Sequence, residues 1–322
     1  MTLIAGLNLS NRLYLISDTR VTFSSTNTFR DDVKKIVNIH GPGIGQRGLA
    51  PDGNSIAVAV AGRVDFANFF TQKVKYAIKS NILSSDILIL RDQIELFSKD
   101  VVNEWFLDPK NTHRVGDFIF GGMTNNRKKK IINLTKLKLT LDRYVQILIK
   151  KVELENPEKK SFCENLSIPR PIQECIENSR NTLNVADSHI FLLRVDTKKG
   201  ITVKVAEWGQ YVSAGCYTLT KNDISEDLIS LLEFDVQTHG YKDQGKLIGD
   251  IWWKIFSNDL KGGIGGAVVT QIIDEQEESK VIVSNSHTDQ KGNIFLNVHG
   301  KNVKLLDLNE YMHKGRYSDA TL

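Results

Sequence analysis

The sequence predicts an α+β fold in which antiparallel sheets are covered by helices. Segments with strand-like composition come in consecutive blocks: four strands, two helices, three strands, two helices and then further strands. Strict alternation of strand and helix would instead favour a parallel sheet. The 322 residues are 41% apolar and 25% charged, which is typical of a folded chain with a sizeable core. These values exclude a largely disordered, collagen-like or coiled-coil protein.

The first block contains four predicted strands that are rich in β-forming residues. They cover residues 2–9, 13–21, 33–39 and 56–61, and residues 10–12 are the predicted hairpin turn between the first two. A loop rich in Gly and Pro separates the third strand from the fourth. We expect the third and fourth strands to form a second pair, and the four strands to meet in sequence order.

Two amphipathic helices follow, over residues 66–79 and 87–106. The second has the clearer pattern, since its apolar residues are spaced three or four apart. We expect Asp65 to cap the first helix, and Ser84 or Ser85 to cap the second. The apolar stripe of the second helix consists of Ile87, Leu90, Ile94, Phe97, Val101 and Trp105.

The remaining pattern repeats strands and then helices. Predicted strands cover residues 117–123, 189–195, 201–208, 267–274 and 280–284, with edge strands at 293–298 and 303–306. Predicted helices cover residues 224–237 and 246–260.

A basic segment interrupts this pattern. Residues 124–163 contain eleven Lys or Arg and four Asp or Glu, so this stretch is +7 while the rest of the chain is −3. We interpret residues 125–187 as a partly helical insertion into a single domain of residues 1–322, with 300–322 as a C-terminal extension. The insertion is a candidate docking site for a partner. No aromatic residues interleave with Arg127, Lys128, Lys129 and Lys130, so nucleic-acid binding is not favoured.

Several function classes lack their sequence signals. Residues 43–48 match GxGxxG, but no helix begins there, and the seven histidines show no ligand spacing. We therefore expect no cofactor and no metal. Three cysteines without a disulfide pattern fit a reducing compartment. With no secretory signal and no long apolar run, we expect a cytoplasmic protein without a membrane partner.

The N-terminus carries a candidate nucleophile. Removal of Met1 would leave Thr2 with a free α-amine, whose pKa of about 7.7–8 leaves much of it neutral near physiological pH. Such an amine is a suitable general base for the hydroxyl of the same residue.

Three further residues support this chemistry. Strand alternation places Lys35 on the apolar face with Val33 and Val37, whereas Lys34 lies on the other face. A buried ammonium requires a partner, and Asp18 is the natural one. Gly62 ends a strand, where a backbone N–H can approach a developing oxyanion.

These elements together resemble the proteasome β-subunit family of N-terminal nucleophile (Ntn) hydrolases. The resemblance rests on Thr2-Leu-Ile-Ala-Gly, Leu15-Ile-Ser-Asp-Thr-Arg20, Val33-Lys-Lys-Ile and Ala59-Val-Ala-Gly62. A Met-Thr start is most similar to the bacterial relatives, including the Anbu type. The resemblance implies a four-layer αββα sandwich of two antiparallel sheets flanked by helices.

The resemblance also implies a threonine-type peptidase that uses Thr2 as nucleophile, Lys35 and Asp18 as tuning groups and the Gly62 N–H as oxyanion donor. Cys216 occupies the place of the family's serine near the amine, and Asp259 matches the Asp of its Asp-x-x-Ser-Gly-Gly element, in which Gly262 replaces the Ser. Both departures affect elements that support the terminal amine.

By the same resemblance, five valines would line the pocket for the side chain before the cleaved bond: Val21, Val33, Val37, Val60 and Val64. Plain sheet core is the alternative for them. The resemblance further implies a homo-oligomeric ring or spiral that acts on peptides or unfolded proteins. Three other functions stay open: a non-catalytic scaffold that retains Met1, a Thr-dependent amidase or peptide ligase, and a basic interaction module.

Overall fold

A computed structural model describes the chain at residues 3–9, 12–23, 28–41, 52–131, 142, 182–206, 211–215, 266–274, 280–284, 286–298 and 300–315. The strands are β1 (Leu3–Leu9), β2 (Arg12–Asp18), β3 (Val21–Phe23), β4 (Thr28–Arg30), β5 (Val33–Lys34), β6 (Ile36–His40), β7 (Ser55–Gly62), β8 (Val115–Ile131), β9 (Thr182–Asp196), β10 (Gly200–Ala206), β11 (Tyr211–Gly215), β12 (Val268–Asp274), β13 (Lys280–Val283), β14 (Ser286–Thr288), β15 (Ile294–Val298), β16 (Lys301–Lys304) and β17 (Leu306–Asp307). The helices are α1 (Val64–Lys79), α2 (Ile87–Trp105) and α3 (Leu308–Glu310), and a π-helical turn (Tyr311–Gly315) follows α3.

Ten of these strands form two five-stranded sheets. The first sheet has the order β11-β1-β2-β12-β13 and the second β10-β9-β8-β7-β6, and all neighbours are antiparallel. The expectation that the first strands meet in sequence order is confirmed within each pair, β1 with β2 and β6 with β7, but it is wrong between the two pairs. The second neighbour of β2 is β12, more than 240 residues later in the sequence, and β6 and β7 lie in the other sheet.

Two apolar clusters define the layers of the described fold. The cluster between the sheets includes Ile4 and Leu15 from the first sheet, and Ile119 and Ile190 from the second. The other cluster, which we call the helix-side cluster, lies between the second sheet and the helices. Its members include Phe66, Phe70, Leu90, Trp105, Phe118 and Phe191. These clusters establish three layers, sheet on sheet on helices. The helices expected at 224–237 and 246–260 lie outside the described residues, so the four-layer αββα sandwich stays a prediction.

Helix α1 packs its apolar stripe against the second sheet as the sequence predicts. Phe66, Phe70 and Val74 are fully buried there, and Phe70 lies 4.3 Å from Phe118, measured between ring centroids. The expected cap is wrong, however, because the helix begins at Val64 and its N-cap, Arg63, makes no side-chain capping bond. Asp65 lies in the first turn, where a carboxylate interacts favourably with the helix dipole.

Helix α2 is capped by Asp86 and not by Ser84 or Ser85. The Asp86 carboxylate accepts hydrogen bonds from the amides of Leu88 and Ile89. A carboxylate satisfies these amides and also complements the positive end of the helix dipole. Ser84 and Ser85 lie in the loop before the cap. Among the described residues no helix is both long and apolar enough to cross a lipid bilayer.

Strands β8 and β9 are longer than the sequence pattern indicates. The strand predicted at residues 117–123 continues, paired with β9, past a register shift between Thr124 and Arg127 until Ile131 meets Thr182. Residues 125–131 and 182–187, interpreted as part of the partly helical insertion, are therefore strand. Residues 132–181, apart from 142, lie outside the described residues, and the domain boundaries stay a prediction.

The described strands β14 to β17 of the C-terminal region belong to neither main sheet. Strands β14, β15 and β16 form a separate three-stranded sheet, so the predicted edge strands lie elsewhere than expected. Strand β17 pairs in parallel with β5. Leu308 and Tyr311 are buried in the helix-side cluster, so residues 306–311 of the predicted extension contribute to the core.

The Asp86 cap gives a test of this helix boundary. We expect Asp86→Ala to lower the free energy of unfolding by about 1 kcal/mol, because two amides of the first turn lose their acceptor. Asp100→Ala, an exposed position within the same helix, is the matched control and should change stability by less than about 0.5 kcal/mol. Urea unfolding monitored by circular dichroism measures both. Equal values for the two variants would contradict the capping role.

Candidate active site

A buried ion pair lies where the two main sheets meet. Lys35 Nζ is 2.9 Å from Asp18 Oδ1, and the two residues are 3% and 1% exposed. Asp18 is the last residue of β2 in the first sheet. The Lys35 carbonyl accepts a hydrogen bond of 2.9 Å from the amide of Val60, on β7 of the second sheet. Lys35 therefore contacts both sheets, and its predicted pairing with Asp18 is confirmed.

The same carboxylate oxygen also holds the beginning of β1. The Leu3 amide donates to Asp18 Oδ1 at 3.2 Å, and Lys35 Nζ donates to that atom as well. A carboxylate oxygen has lone pairs for two such donors. Leu3 directly follows Thr2 in the sequence. The peptide nitrogen that is bonded to the Thr2 carbonyl carbon therefore lies at the ion pair.

The two neighbouring lysines have different environments. Lys35 interrupts the predicted strand at 33–39, between β5 and β6, and its ammonium also donates to the Arg20 carbonyl. Lys34 is only partly buried, and its position pairs with Asp307 of β17. Burial lowers the pKa of the Lys34 ammonium, and the Asp307 carboxylate partly opposes this effect. The alternation of faces along this strand therefore identified the more buried lysine correctly.

Thr19 connects the end of β2 to two other segments. Its hydroxyl donates to the Asp31 carbonyl at 2.6 Å and accepts from the Ala267 amide at 2.8 Å. Its backbone amide donates to the Ala267 carbonyl at 3.1 Å. Gly266 has a φ of +76°, and a Cβ there would lie 2.3 Å from Thr19 Oγ1. Only glycine fits this approach to the hydroxyl.

Two arginine–carboxylate pairs lie between Asp18 and Lys35 in the sequence. Arg20 makes two bonds to Asp31, at 2.7 and 2.9 Å, and its guanidinium lies 3.8 Å from the ring centroid of Phe29. Arg30 makes two bonds to Asp32, at 3.0 and 2.5 Å. Hydrogen bonding to these carboxylates raises the pKa of both arginines. Two parallel hydrogen bonds fix the orientation of each guanidinium relative to its carboxylate, in addition to pairing their charges.

Gly62 lies at the end of β7, two residues beyond the Val60 amide that contacts Lys35. It is exposed and has a φ of +114°, and an added Cβ would lie 2.4 Å from the Val115 carbonyl oxygen. Backbone strain and contact with the neighbouring strand both exclude a side chain. The close approach that this glycine permits in the structure is that of Val115 and Gly116 on the neighbouring strand. The expected function of Gly62 as an oxyanion donor stays a prediction.

The other expected catalytic residues lie outside the described residues: Thr2, Cys216 and Asp259. The structure brings together Asp18, Lys35 and Leu3, and it links Gly62 to them through β7. Position alone assigns no catalytic role to any of these residues, so their roles stay predictions.

The five valines expected to line a substrate pocket all contact the helix-side cluster. Val33 and Val60 are at most 2% exposed and Val21 is 8% exposed, whereas Val37 and Val64 are only partly buried. Val33 and Val60 are therefore core residues here. Val37 and Val64 keep surface that a ligand can contact, so the assignment of the pocket stays a prediction.

Sequence reasoning missed four residues that shape this site: Thr19, Arg20, Asp31 and Gly266. Thr19 and Arg20 stand in the motif that contains Asp18, but their partners are distant in sequence. The adjacent residues Asp31 and Asp32 were a usable sequence signal. They directly precede a strand predicted to be buried, and buried carboxylates require cationic partners. Among the described residues no group of three or more His, Cys, Asp or Glu has an arrangement suited to a metal ion.

Comparisons with known proteins give structural neighbours only. No protein-family model matches the chain, and no curated protein matches it. Among solved structures, Anbu (ancestral beta-subunit) from Yersinia bercovieri aligns with a TM-score of 0.43 and 10% identity, covering 88% of each chain. Anbu from Hyphomicrobium sp. strain MC1 aligns with a TM-score of 0.41 and 11% identity, covering 87% of this chain and 86% of that one.

An Anbu (Gly-1) mutant from the same Hyphomicrobium strain aligns with a TM-score of 0.40 and 13% identity, covering 99% of this chain and 96% of that chain. With TM-scores below 0.5, these alignments assign no role to any residue of this chain.

The buried ion pair is testable by a double-mutant cycle. We expect Asp18→Asn and Lys35→Met each to cost about 3–5 kcal/mol of unfolding free energy, because each leaves an unpaired buried charge or polar group. The double variant should cost clearly less than the sum of the single variants, as measured by urea unfolding.

The exposed pair Lys73–Glu104 is the matched control, with Lys73→Met and Glu104→Gln. Its coupling should be below about 1 kcal/mol. Additive costs at Asp18 and Lys35 would contradict the coupling of these two charges.

Proposed function

We propose that this protein is an N-terminal threonine peptidase of the proteasome-like class, with Thr2 as the nucleophile after removal of Met1. One observation carries the proposal: Asp18 Oδ1 accepts from both the Leu3 amide and the Lys35 ammonium. A buried cation is thereby held beside the first residues of the chain. The motifs around these residues, which resemble those of Ntn hydrolases, support the same conclusion.

The ion pair suits the activation of a hydroxyl at residue 2. The Leu3 amide nitrogen is bonded to the Thr2 carbonyl carbon, so the Asp18–Lys35 pair lies within one residue of the proposed nucleophile. A nearby ammonium favours the deprotonated form of a hydroxyl. Asp18 holds the ammonium in place and keeps it charged in a buried setting. Lys35 is therefore the proposed tuning cation and Asp18 its positioning partner.

The proposed reaction uses the free α-amine of Thr2 as the base. The amine takes the proton from the Thr2 hydroxyl while Oγ attacks the carbonyl carbon of the substrate peptide bond. The resulting oxyanion is stabilised by the Gly62 N–H. The α-ammonium then protonates the leaving amine, which leaves an ester on Thr2. Water, deprotonated by the same amine, hydrolyses the ester and regenerates the hydroxyl.

Two partly buried valines give a basis for substrate preference. Val37 and Val64 retain accessible surface in the cluster that also contains Val21. We propose that these valines accommodate an apolar side chain before the cleaved bond. Cys216 and Asp259 are proposed to support the terminal amine, and copies of the chain are proposed to assemble into a ring or spiral that restricts access to unfolded polypeptide.

The nucleophile is testable by covalent labelling. We expect a peptide epoxyketone or β-lactone to form one adduct, on Thr2, as measured by intact mass and peptide mapping. The adduct should be absent from Thr2→Ala. A label at another residue, or no label on a protein whose N-terminus is Thr2, would overturn the proposal. Retention of Met1 would exclude the amine as base and favour a non-catalytic scaffold.

The two adjacent lysines give a second test. Lys35→Ala should lower peptide turnover roughly 10²-fold or more, because the cation beside the nucleophile is lost. Lys34→Ala is the matched control and should change turnover little, since its ammonium is not paired with Asp18. Rates are to be divided by the folded fraction of each variant. Equal losses would contradict a specific role for Lys35.

A further inference from the structure

Strands β8 and β9 continue beyond the sheet to which they belong. Strand β7 pairs with β8 only as far as Met123, whose partner is Ser55. Strand β10 pairs with β9 only from Ile190 to Asp196, so the part of β9 before Ile190 has no partner in β10. Beyond these points β8 and β9 pair with each other alone. We call residues 125–131 and 182–186 the basic ribbon. Within the part of the chain that the structure describes, no strand pairs with the outer edge of either ribbon strand.

The charge of the basic ribbon lies entirely on its β8 strand. Arg127, Lys128, Lys129 and Lys130 are consecutive there, and they pair in register with Ala186, Val185, Asn184 and Leu183. These four partners are uncharged residues, and the first acidic residue of β9 is Asp187, beside Ala186. Alternate strand residues lie on opposite faces, so four consecutive basic residues contribute two to each face.

The outer edge of β8 offers backbone hydrogen bonds to a further strand. Every second residue of an edge strand directs its N–H and C=O away from its existing partner. Consecutive cations repel a second copy of the same basic strand, and they also disfavour neutral apolar strands. A strand with consecutive carboxylates gains cross-strand charge pairs on both faces instead. The basic run thus makes the edge selective for one kind of strand.

We propose that the β8 edge of the basic ribbon binds an extended polypeptide segment with a run of Asp or Glu, which adds as a further strand. The binding itself requires only backbone hydrogen bonds and cross-strand charge pairs. Its use in substrate recruitment rests on the proposed function. An unfolded acidic segment held at the ribbon is tethered to the peptidase, and tethering raises its effective concentration at the site.

Peptide is favoured over nucleic acid by the composition of the basic ribbon. Residues 125–131 and 182–186 contain no aromatic side chain on which a base could stack. The edge of a strand offers backbone donors and acceptors in the spacing that an extended peptide matches. A sugar-phosphate backbone matches the charge but not this hydrogen-bond pattern.

The test measures binding with full-length Thr2→Ala protein, so that the result does not depend on turnover. The probe is a fluorescein-labelled peptide with eight consecutive Glu, followed by fluorescence anisotropy. We expect Arg127→Gln, Lys128→Gln, Lys129→Gln and Lys130→Gln in combination to weaken binding roughly tenfold or more. The matched control replaces four exposed lysines elsewhere by Gln: Lys198, Lys199, Lys291 and Lys301. That variant should bind the peptide nearly as the parent does.

A second probe separates strand addition from simple charge attraction. The same peptide with alternate backbone nitrogens methylated loses donors but keeps every carboxylate, and we expect it to bind markedly more weakly. Equal binding of both peptides, equal weakening by the control lysines, or tighter binding of duplex DNA or single-stranded RNA would each overturn the proposal.

The recruitment step is tested in the active protein. An apolar peptide substrate joined to the Glu run should have a lower KM than the same substrate joined to a Gly-Ser run, and the four-residue ribbon variant should remove that difference. Turnover of the Gly-Ser substrate should stay unchanged in the variant. Acidic-peptide binding without any turnover would reject the peptidase and leave the ribbon site intact.

Discussion

The buried ion pair between Lys35 and Asp18 constrains how the two sheets meet. An ammonium at this depth is tolerated only when a carboxylate and further acceptors surround it. The pair provides both, because Lys35 donates to Asp18 and to the Arg20 carbonyl. Its own carbonyl is bound to Val60 on the other sheet. Any sliding of one sheet against the other would separate charges that are costly to leave unpaired in the core.

The neighbouring arginines are also paired with carboxylates. Asp31 holds Arg20, and Asp32 holds Arg30, each through two hydrogen bonds. A second set of bonds runs through Thr19, which joins Asp31 to the segment before β12. Because the bonds converge from segments that are far apart in sequence, the beginning of β1 meets a rigid polar junction. Such rigidity is what a preorganised nucleophile requires.

The basic ribbon and the proposed catalytic residues lie in different parts of the chain. Around Asp18, the cations of Arg20, Arg30 and Lys35 each pair with a carboxylate, whereas β8 carries four consecutive basic residues whose register partners, residues 183–186, are uncharged. The mild overall charge of +4 hides this division between a basic segment and a slightly acidic remainder. A neutralised site and a charged edge suit the two proposed tasks, attack on a peptide bond at the first and selection of an acidic segment at the second.

The sequence by itself determined the two long helices, most strands and the lysine that is buried. These features follow from periodicity among near neighbours, which sets the face of a helix or strand. It misplaced the cap of α2, because several polar residues before Ile87 were equally suitable and only backbone geometry selects Asp86.

Tertiary structure decided the pairing of β2 with β12, the break in the strand at Lys35 and the extension of β8 through the basic run. It also placed residues 306–311 against the core and gave Thr19 and Gly266 their roles at the site. These outcomes depend on contacts between residues that are distant in sequence. Local propensity carries no information about such partners, because their free energy arises only when the sheets and helices pack together.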